Sequence, residues 1–159
     1  MKKRGALENV ESKPDRAKAL LAGQNRALEL IAGNAPLGDV LAFVARLIES
    51  QAPGLYCSLL LLEDGRLRHG AAPSLPEGYN RAVDGVPIGP MVGACGTSAY
   101  TGKRVVCRDI TTDPRWAAFP EIVKVALESG LRACWSTPIL SASGEVLGTF
   151  AIYYPEPSE

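Results

Sequence analysis

The sequence predicts an α+β fold, and three observations carry the prediction. Leu37, Val40, Leu41, Val44, Leu47 and Ile48 recur at helical spacing and form one wide apolar face. The run 55–62 is apolar on both alternations, as in a strand buried on both faces, and Asp64-Gly65 after it is a hairpin signal. Two further strand-like stretches, 132–140 and 146–154, close the chain around the short link Ser141-Ala142-Ser143-Gly144-Glu145.

The elements follow in order. Residues 1–18 are polar and charged, with Pro14 as a breaker, and read as a flexible tail. A first helix is expected from about Ala19 to Ala32, with patchy apolar positions at Leu20, Leu21, Leu28 and Ile31 and a weak point at Gly23. Asn34 is placed to cap the second helix, Pro36 sits in its first turn, and Pro53-Gly54 ends it. The strand at 55–62 is expected to be central, with the more polar 66–72 as its hairpin partner nearer an edge. Residues 73–94 hold four prolines and four glycines around a helical turn at 76–83. A connection that long is often functional. A short helix opens at Gly93 and closes at Gly102, and a short strand follows at 105–108. A turn and a helix at about 120–129 lead into the final strands. The domain is expected to span 19–155, with 156–159 as a tail.

Composition narrows the function classes. Among 159 residues, lysine plus arginine balances aspartate plus glutamate at 17 each. A long-range field for nucleic acid or an anionic membrane is therefore not expected. No stretch approaches the ~20 apolar residues of a membrane span, and the basic N-terminus lacks the apolar run of a secretory signal. The expected compartment is the cytoplasm. Cys57, Cys95, Cys107 and Cys134 form no tight pair, and His69 is the only histidine, so a zinc site is not expected. The cysteines read as free thiols, mostly core fillers.

The ordered pieces resemble the GAF family of sensory domains over roughly residues 24–155. They are Ser58-Leu59-Leu60-Leu61-Leu62-Glu63-Asp64-Gly65, the helix start from Gly93 to Gly102, the strand and loop from Val105 to Trp116, and the pair Trp135–Ile139 and Leu147–Tyr154. The resemblance implies a central antiparallel sheet with helices on one face. It places a ligand pocket under loops and short helices on the other. It also implies a signalling context, such as a histidine kinase, a cyclic-di-GMP enzyme or a transcription regulator. The family usually closes with a helix after the last strand, whereas this sequence stops at Pro155-Glu156-Pro157-Ser158-Glu159. The expectation is that the chain is a piece of a larger protein, or that its N-terminal helices cover that face alone or across a homodimer.

The candidate ligand-binding residues are Cys95, Gly96, Thr97, Ser98, Trp116, Trp135, Thr137, Tyr79 and Asp109. Unpaired N–H groups at the helix start from Cys95 to Ser98 form a natural anion cradle, although the glycines could simply permit a tight turn. The start is not a Walker loop, because five residues rather than four separate Gly96 from Gly102-Lys103. The helix terminus should lower the Cys95 thiol pKa. The surrounding segment is similar to that of the GAF-fold free methionine-(R)-sulfoxide reductases, which form a disulfide between lid cysteines. A partner here would have to be Cys57, Cys107 or Cys134, all on expected strands, and no enzyme activity is expected. One alternate set of the strand 132–140 should line the pocket, either Ala133, Trp135 and Thr137 or Cys134, Ser136 and Pro138. Trp135 could supply a flat wall with an N–H donor or could be ordinary core. Asp109 and Asp113 also suit turns or caps. His69 reads as structural or exposed rather than as a haem ligand, and the motifs of bilin and cyclic-nucleotide relatives are not found. The sequence names no cofactor. The expected function is sensing of a small molecule or anion by ordering of the pocket lid. The alternatives are a dimerisation module whose pocket is packed shut and, ranked after it, the thiol-dependent free methionine sulfoxide reductase that the resemblance around Cys95 implies.

Overall fold

The computed structural model describes residues 13–158. It comprises two compact units, divided after Ala35.

The first unit carries α1, Lys13–Ala32. The helix is already formed at Lys13, ahead of the expected Ala19. The rest of the expected tail, residues 1–12, lies outside the described residues. None of the residues of α1 is buried, and Leu21, Leu28 and Ile31 are exposed. Asn34 has a left-handed φ of 55° and donates its N–H to the Ile31 carbonyl. It therefore terminates α1, rather than capping the second helix as expected.

The second unit is built on a six-stranded sheet of order β3-β2-β1-β6-β5-β4. The strands are β1 (Tyr56–Glu63), β2 (Arg66–Ala71), β3 (Val86–Pro87), β4 (Val105–Cys107), β5 (Ala133–Leu140) and β6 (Val146–Tyr154). Every neighbouring pair is antiparallel. The apolar run forms β1, which lies inside the sheet between β2 and β6, as its two-sided hydrophobicity predicts. Asp64 and Gly65 both take positive φ, 50° and 72°, which a two-residue hairpin turn of matching twist requires. The strand β3 was not anticipated. It is two residues long, pairs only with Arg66 and Leu67, and carries its proline at the sheet edge, where a missing N–H is tolerated.

Two layers cover the sheet. Helix α2 (Leu37–Glu49) lays Leu41, Val44, Ala45 and Ile48 against Cys57, Leu59, Ile139 and Phe150. The opposite face carries α3 (Glu77–Val83), α4 (Gly93–Thr101), α5 (Pro120–Glu128) and a single helical turn at Pro114–Trp116. Tyr79, Ala94, Ile110, Trp116, Leu131, Cys134 and Tyr153 form the larger core there.

One contact between β1 and β6 is closer than any side chain allows. A Cβ on Gly148 would lie 2.1 Å from the Leu60 carbonyl oxygen. Gly148→Ala should therefore destabilise the fold by about 1–3 kcal/mol, as overpacking does. Gly78, inside α3, has open space around its Cβ position. Gly78→Ala should be neutral or stabilising by up to about 1 kcal/mol. Denaturant midpoints of the two variants check both signs.

Candidate functional site

A cavity of about 40 Å³ lies between the sheet and the helical layer. Water needs roughly 10–15 Å³ by this measure, so the space holds about three water-sized groups. Its floor comes from Leu60 (β1), Leu67 (β2), Cys134 (β5) and Tyr153 (β6). Tyr79 and Val83 of α3, Val86 of β3 and Val92 close it from the segment 73–94. Gly93, Ala94, Cys95 and Gly96, the first turn of α4, complete the wall with Trp116, Phe119 and Ile122.

The start of α4 lacks a conventional cap. Its N-cap residue, Val92, has no side-chain acceptor to offer. The N–H groups of Gly93, Ala94 and Cys95 have no acceptor among the described residues. Gly93 has a positive φ of 52°, and its Cβ position lies 3.4–3.5 Å from the Trp116 ring edge at Cζ2, Cε2 and Cη2. The indole Nε1 adjoins that edge and is itself buried without a hydrogen-bond partner. Unpaired backbone and side-chain donors thus belong to neighbouring residues of the cavity wall.

Cys95 behaves differently from the sequence expectation. Burial pushes its thiol pKa up, against the lowering expected from the helix terminus. The Ser136, Thr149 and Tyr153 hydroxyls soften the rise. The phenol of Tyr153 lies 3.9 Å from Sγ and also bonds Ser58 Oγ at 3.1 Å. Ser136 Oγ and Thr149 Oγ1 face the sulfur without reaching hydrogen-bond geometry, and both are buried without a partner. Cys134, across the same cavity, is held well above the usual thiol range by Cys107 beside it and by burial. Tyr79 and Tyr153 meet edge to face at 5.5 Å, and burial raises both phenols.

The structure brings four of the predicted residues to the cavity: Tyr79, Cys95, Gly96 and Trp116. A fifth, Ser98, is fully buried in α4 with an unpartnered Oγ. Thr97 has a local task, since its Oγ1 accepts from Val92 N at 3.2 Å and donates to Pro90 O at 3.4 Å. Asp109 lies in a separate open groove with Thr97, Asp113 and Arg115. Its carboxylate accepts from the Thr111 hydroxyl and N–H and from Arg132, which hold its pKa down to about 2. That is the turn role, and Asp113 likewise accepts from the N–H of Arg115 at the start of the helical turn.

Trp135 and Thr137 are corrections. Strand alternation sends Cys134 and Ser136 to the cavity side of β5, so Trp135 and Thr137 point to the face that carries α2. Trp135 stands edge-on to Phe150 at 5.4 Å, under the Arg104 guanidinium at 4.5 Å, and donates from Nε1 to Tyr154 Oη at 3.0 Å. The sequence reading missed Tyr153, Phe119 and Ile122 as wall residues. Tyr153 was detectable, because it pairs with Cys134 across the final hairpin and shares its face. His69 is exposed on β2, away from the cavity lining.

Trp135→Ala should lower stability by about 2 kcal/mol through lost packing. It should leave the amide resonances of Gly93 to Cys95 where they are. A large shift of those resonances in the variant would place Trp135 back at the cavity.

The match to known proteins follows from this geometry. The GAF domain family matches residues 34–159. The chain is 42% identical over 154 residues to the methyl sulfide methyltransferase-associated sensor of Methanosarcina acetivorans, covering 96% of this chain and 15% of that protein. The chain thus spans about a seventh of that curated relative's length. A protein described as a GAF sensor from Burkholderia vietnamiensis superposes with a TM-score of 0.65 at 19% identity, over 91% of this chain and 82% of that one. The free methionine-R-sulfoxide reductase of Neisseria meningitidis, solved with its substrate, gives 0.67 at 17% identity, over 98% and 84%. At such identities the structural likeness speaks for the fold. With the family matched over most of its length and the antiparallel sheet in place, the chain belongs to the GAF domain family.

Proposed function

We propose that this GAF sensor domain binds a small molecule that seats a hydrogen-bond acceptor on the first turn of α4. The observation that carries this reading is the set of unpaired donors there: three backbone N–H groups and the Trp116 indole, beside one cavity. Buried donors without acceptors are costly, and a ligand oxygen would relieve them. The wall residues Tyr79, Val83, Val86 and Val92 belong to the long segment 73–94. Ligand binding would draw that segment onto the sheet and favour the ordered lid over looser arrangements. Such a shift would be the signal passed to an output module, whether kinase, cyclic-di-GMP enzyme or transcription regulator.

The thiols support binding over catalysis. A nucleophilic cysteine works as thiolate, whereas Cys95 and Cys134 are both held protonated by their surroundings. The sensor name of the 42%-identical relative points the same way. The small volume of the cavity favours a second reading, a dimerisation module with its pocket packed shut. Assembly itself is part of the proposal. Leu21 and Leu28 are seven residues apart in α1, with Ile31 beside them, and all three are exposed. A second copy of the chain would cover these residues by pairing α1 with α1.

Trp116→Phe separates the two readings. The variant removes an unpaired buried donor, so the ligand-free protein should be unchanged or stabilised by up to about 1 kcal/mol. Affinity for a small molecule that native mass spectrometry finds retained on the wild type should fall roughly five- to tenfold. If nothing is retained and only stability changes, the packed-shut reading stands. For the assembly, light scattering should show a dimer that Leu21→Glu with Leu28→Glu converts to monomer; a wild-type monomer at high concentration removes this pairing from the account.

A further inference from the structure

We infer that the cavity selects a compact neutral acceptor, of the amide or carbonyl class, over the anion of the same shape. The inference rests on the sensing reading above and adds the charge of the ligand. Its first support is the chemistry of the wall. Among the described residues that line the cavity, none carries a charged side chain. The apolar part is Leu60, Leu67, Val83, Val86, Phe119 and Ile122. The unpaired donors of the wall residues are all neutral: the N–H groups of Gly93, Ala94 and Cys95, and the Trp116 indole. A helix start offers about half a positive charge, which suits the partial charge of a carbonyl oxygen. A full anion would also need a paired cation or the water it leaves behind.

The guanidinium that adjoins a wall residue in the chain is committed elsewhere. Arg115, beside Trp116 in the chain, is paired with Asp113 and also donates to the Val106 carbonyl. Asp113 and Arg115 together bring no net charge to the site. The groups that do face the cavity are Tyr79 from α3, Cys95 from α4, Cys134 from β5 and Tyr153 from β6. All are weak acids, and the protein shifts every one of them toward its protonated form. Burial contributes to all four shifts, and Tyr79, Cys134 and Tyr153 are raised further by their neighbours in the same cluster, so added negative charge is disfavoured in the space between them. Size adds a limit. About 40 Å³ admits a molecule of only about three to four non-hydrogen atoms.

Acetamide and acetate are isosteric at that size and differ in charge, so they make the test. Each is titrated into the ¹⁵N-labelled full chain at neutral pH, and the Gly93, Ala94 and Cys95 amides and the Trp116 indole N–H are followed by NMR. Acetamide should move these resonances downfield and saturate, while acetate should bind at least about tenfold more weakly. Acetate binding should strengthen by about tenfold for each pH unit lowered, as acetic acid forms, until the probe's own pKa is reached. Acetate that binds as well as acetamide at neutral pH, with no such pH dependence, overturns the inference and leaves the sensing reading intact. Acetamide that shifts only residues of the groove around Asp109 and Arg115 also overturns it. If neither probe moves the α4 resonances even at high concentration, the acceptor site itself is absent, and both readings fall together.

Discussion

The start of α4 is buried, and buried backbone N–H groups need acceptors. Most helices meet that requirement with a Ser, Thr, Asp or Asn cap. This helix begins after Val92, which cannot. The neighbours compound the demand rather than answer it. Trp116 packs its indole edge onto Gly93 and brings another donor, and Ser98, Ser136 and Thr149 leave buried hydroxyls unpartnered nearby. Small residues make so close a seat possible. Ala94 and Ala99 of α4 and Ala151 of β6 are buried in this layer, and a Cβ on Gly96 would collide with Val92 at 2.6 Å. The cavity exists because the sheet, the segment 73–94 and the turn at Trp116 all converge on a helix end that none of them satisfies.

Thiol chemistry is decided by the same burial. A helix start lowers a thiol pKa when the sulfur sits in a wet or electropositive setting. Here burial raises the pKa of Cys95, and the Ser136, Thr149 and Tyr153 hydroxyls offset only part of the rise. The direction of the shift therefore follows from how deep the helix is set, a property no local motif carries. Cys57, on the other face of the sheet, follows the same rule, with its pKa pushed up to about 12 by burial and by Glu49.

The sequence revealed the elements better than the site. Apolar periodicity located α2 and β1, and turn chemistry located the hairpin at Asp64-Gly65. The two-residue β3 escaped because no periodicity can be read from Val86-Pro87. In the site, alternation along β5 correctly divided Trp135 and Thr137 from Cys134 and Ser136. Which set meets the cavity depends on where α2 and α4 land on the sheet, and that is tertiary information. The size of the tryptophan made it an attractive pocket wall, yet the small residues of β5 face α4 because only they leave room for it. Glu49 shows the same limit. It closes α2 in the sequence, and in the fold it accepts from Cys57 N at 2.9 Å and Ser74 Oγ at 2.6 Å, tying helix, sheet and the start of the long connection together.

The two tryptophans occupy opposite faces of one sheet. Trp116 borders the cavity, with its ring against the first turn of α4. Trp135 is held on the far side by Phe150, Tyr154 and a guanidinium 4.5 Å from its ring. The molecule thereby contains two intrinsic fluorophores in unlike electrostatic surroundings. The emission of one reports on the cavity, and that of the other, next to a cation, serves as an internal reference for the scaffold. Events at the lid and events in the sheet can be followed in the same sample without any label.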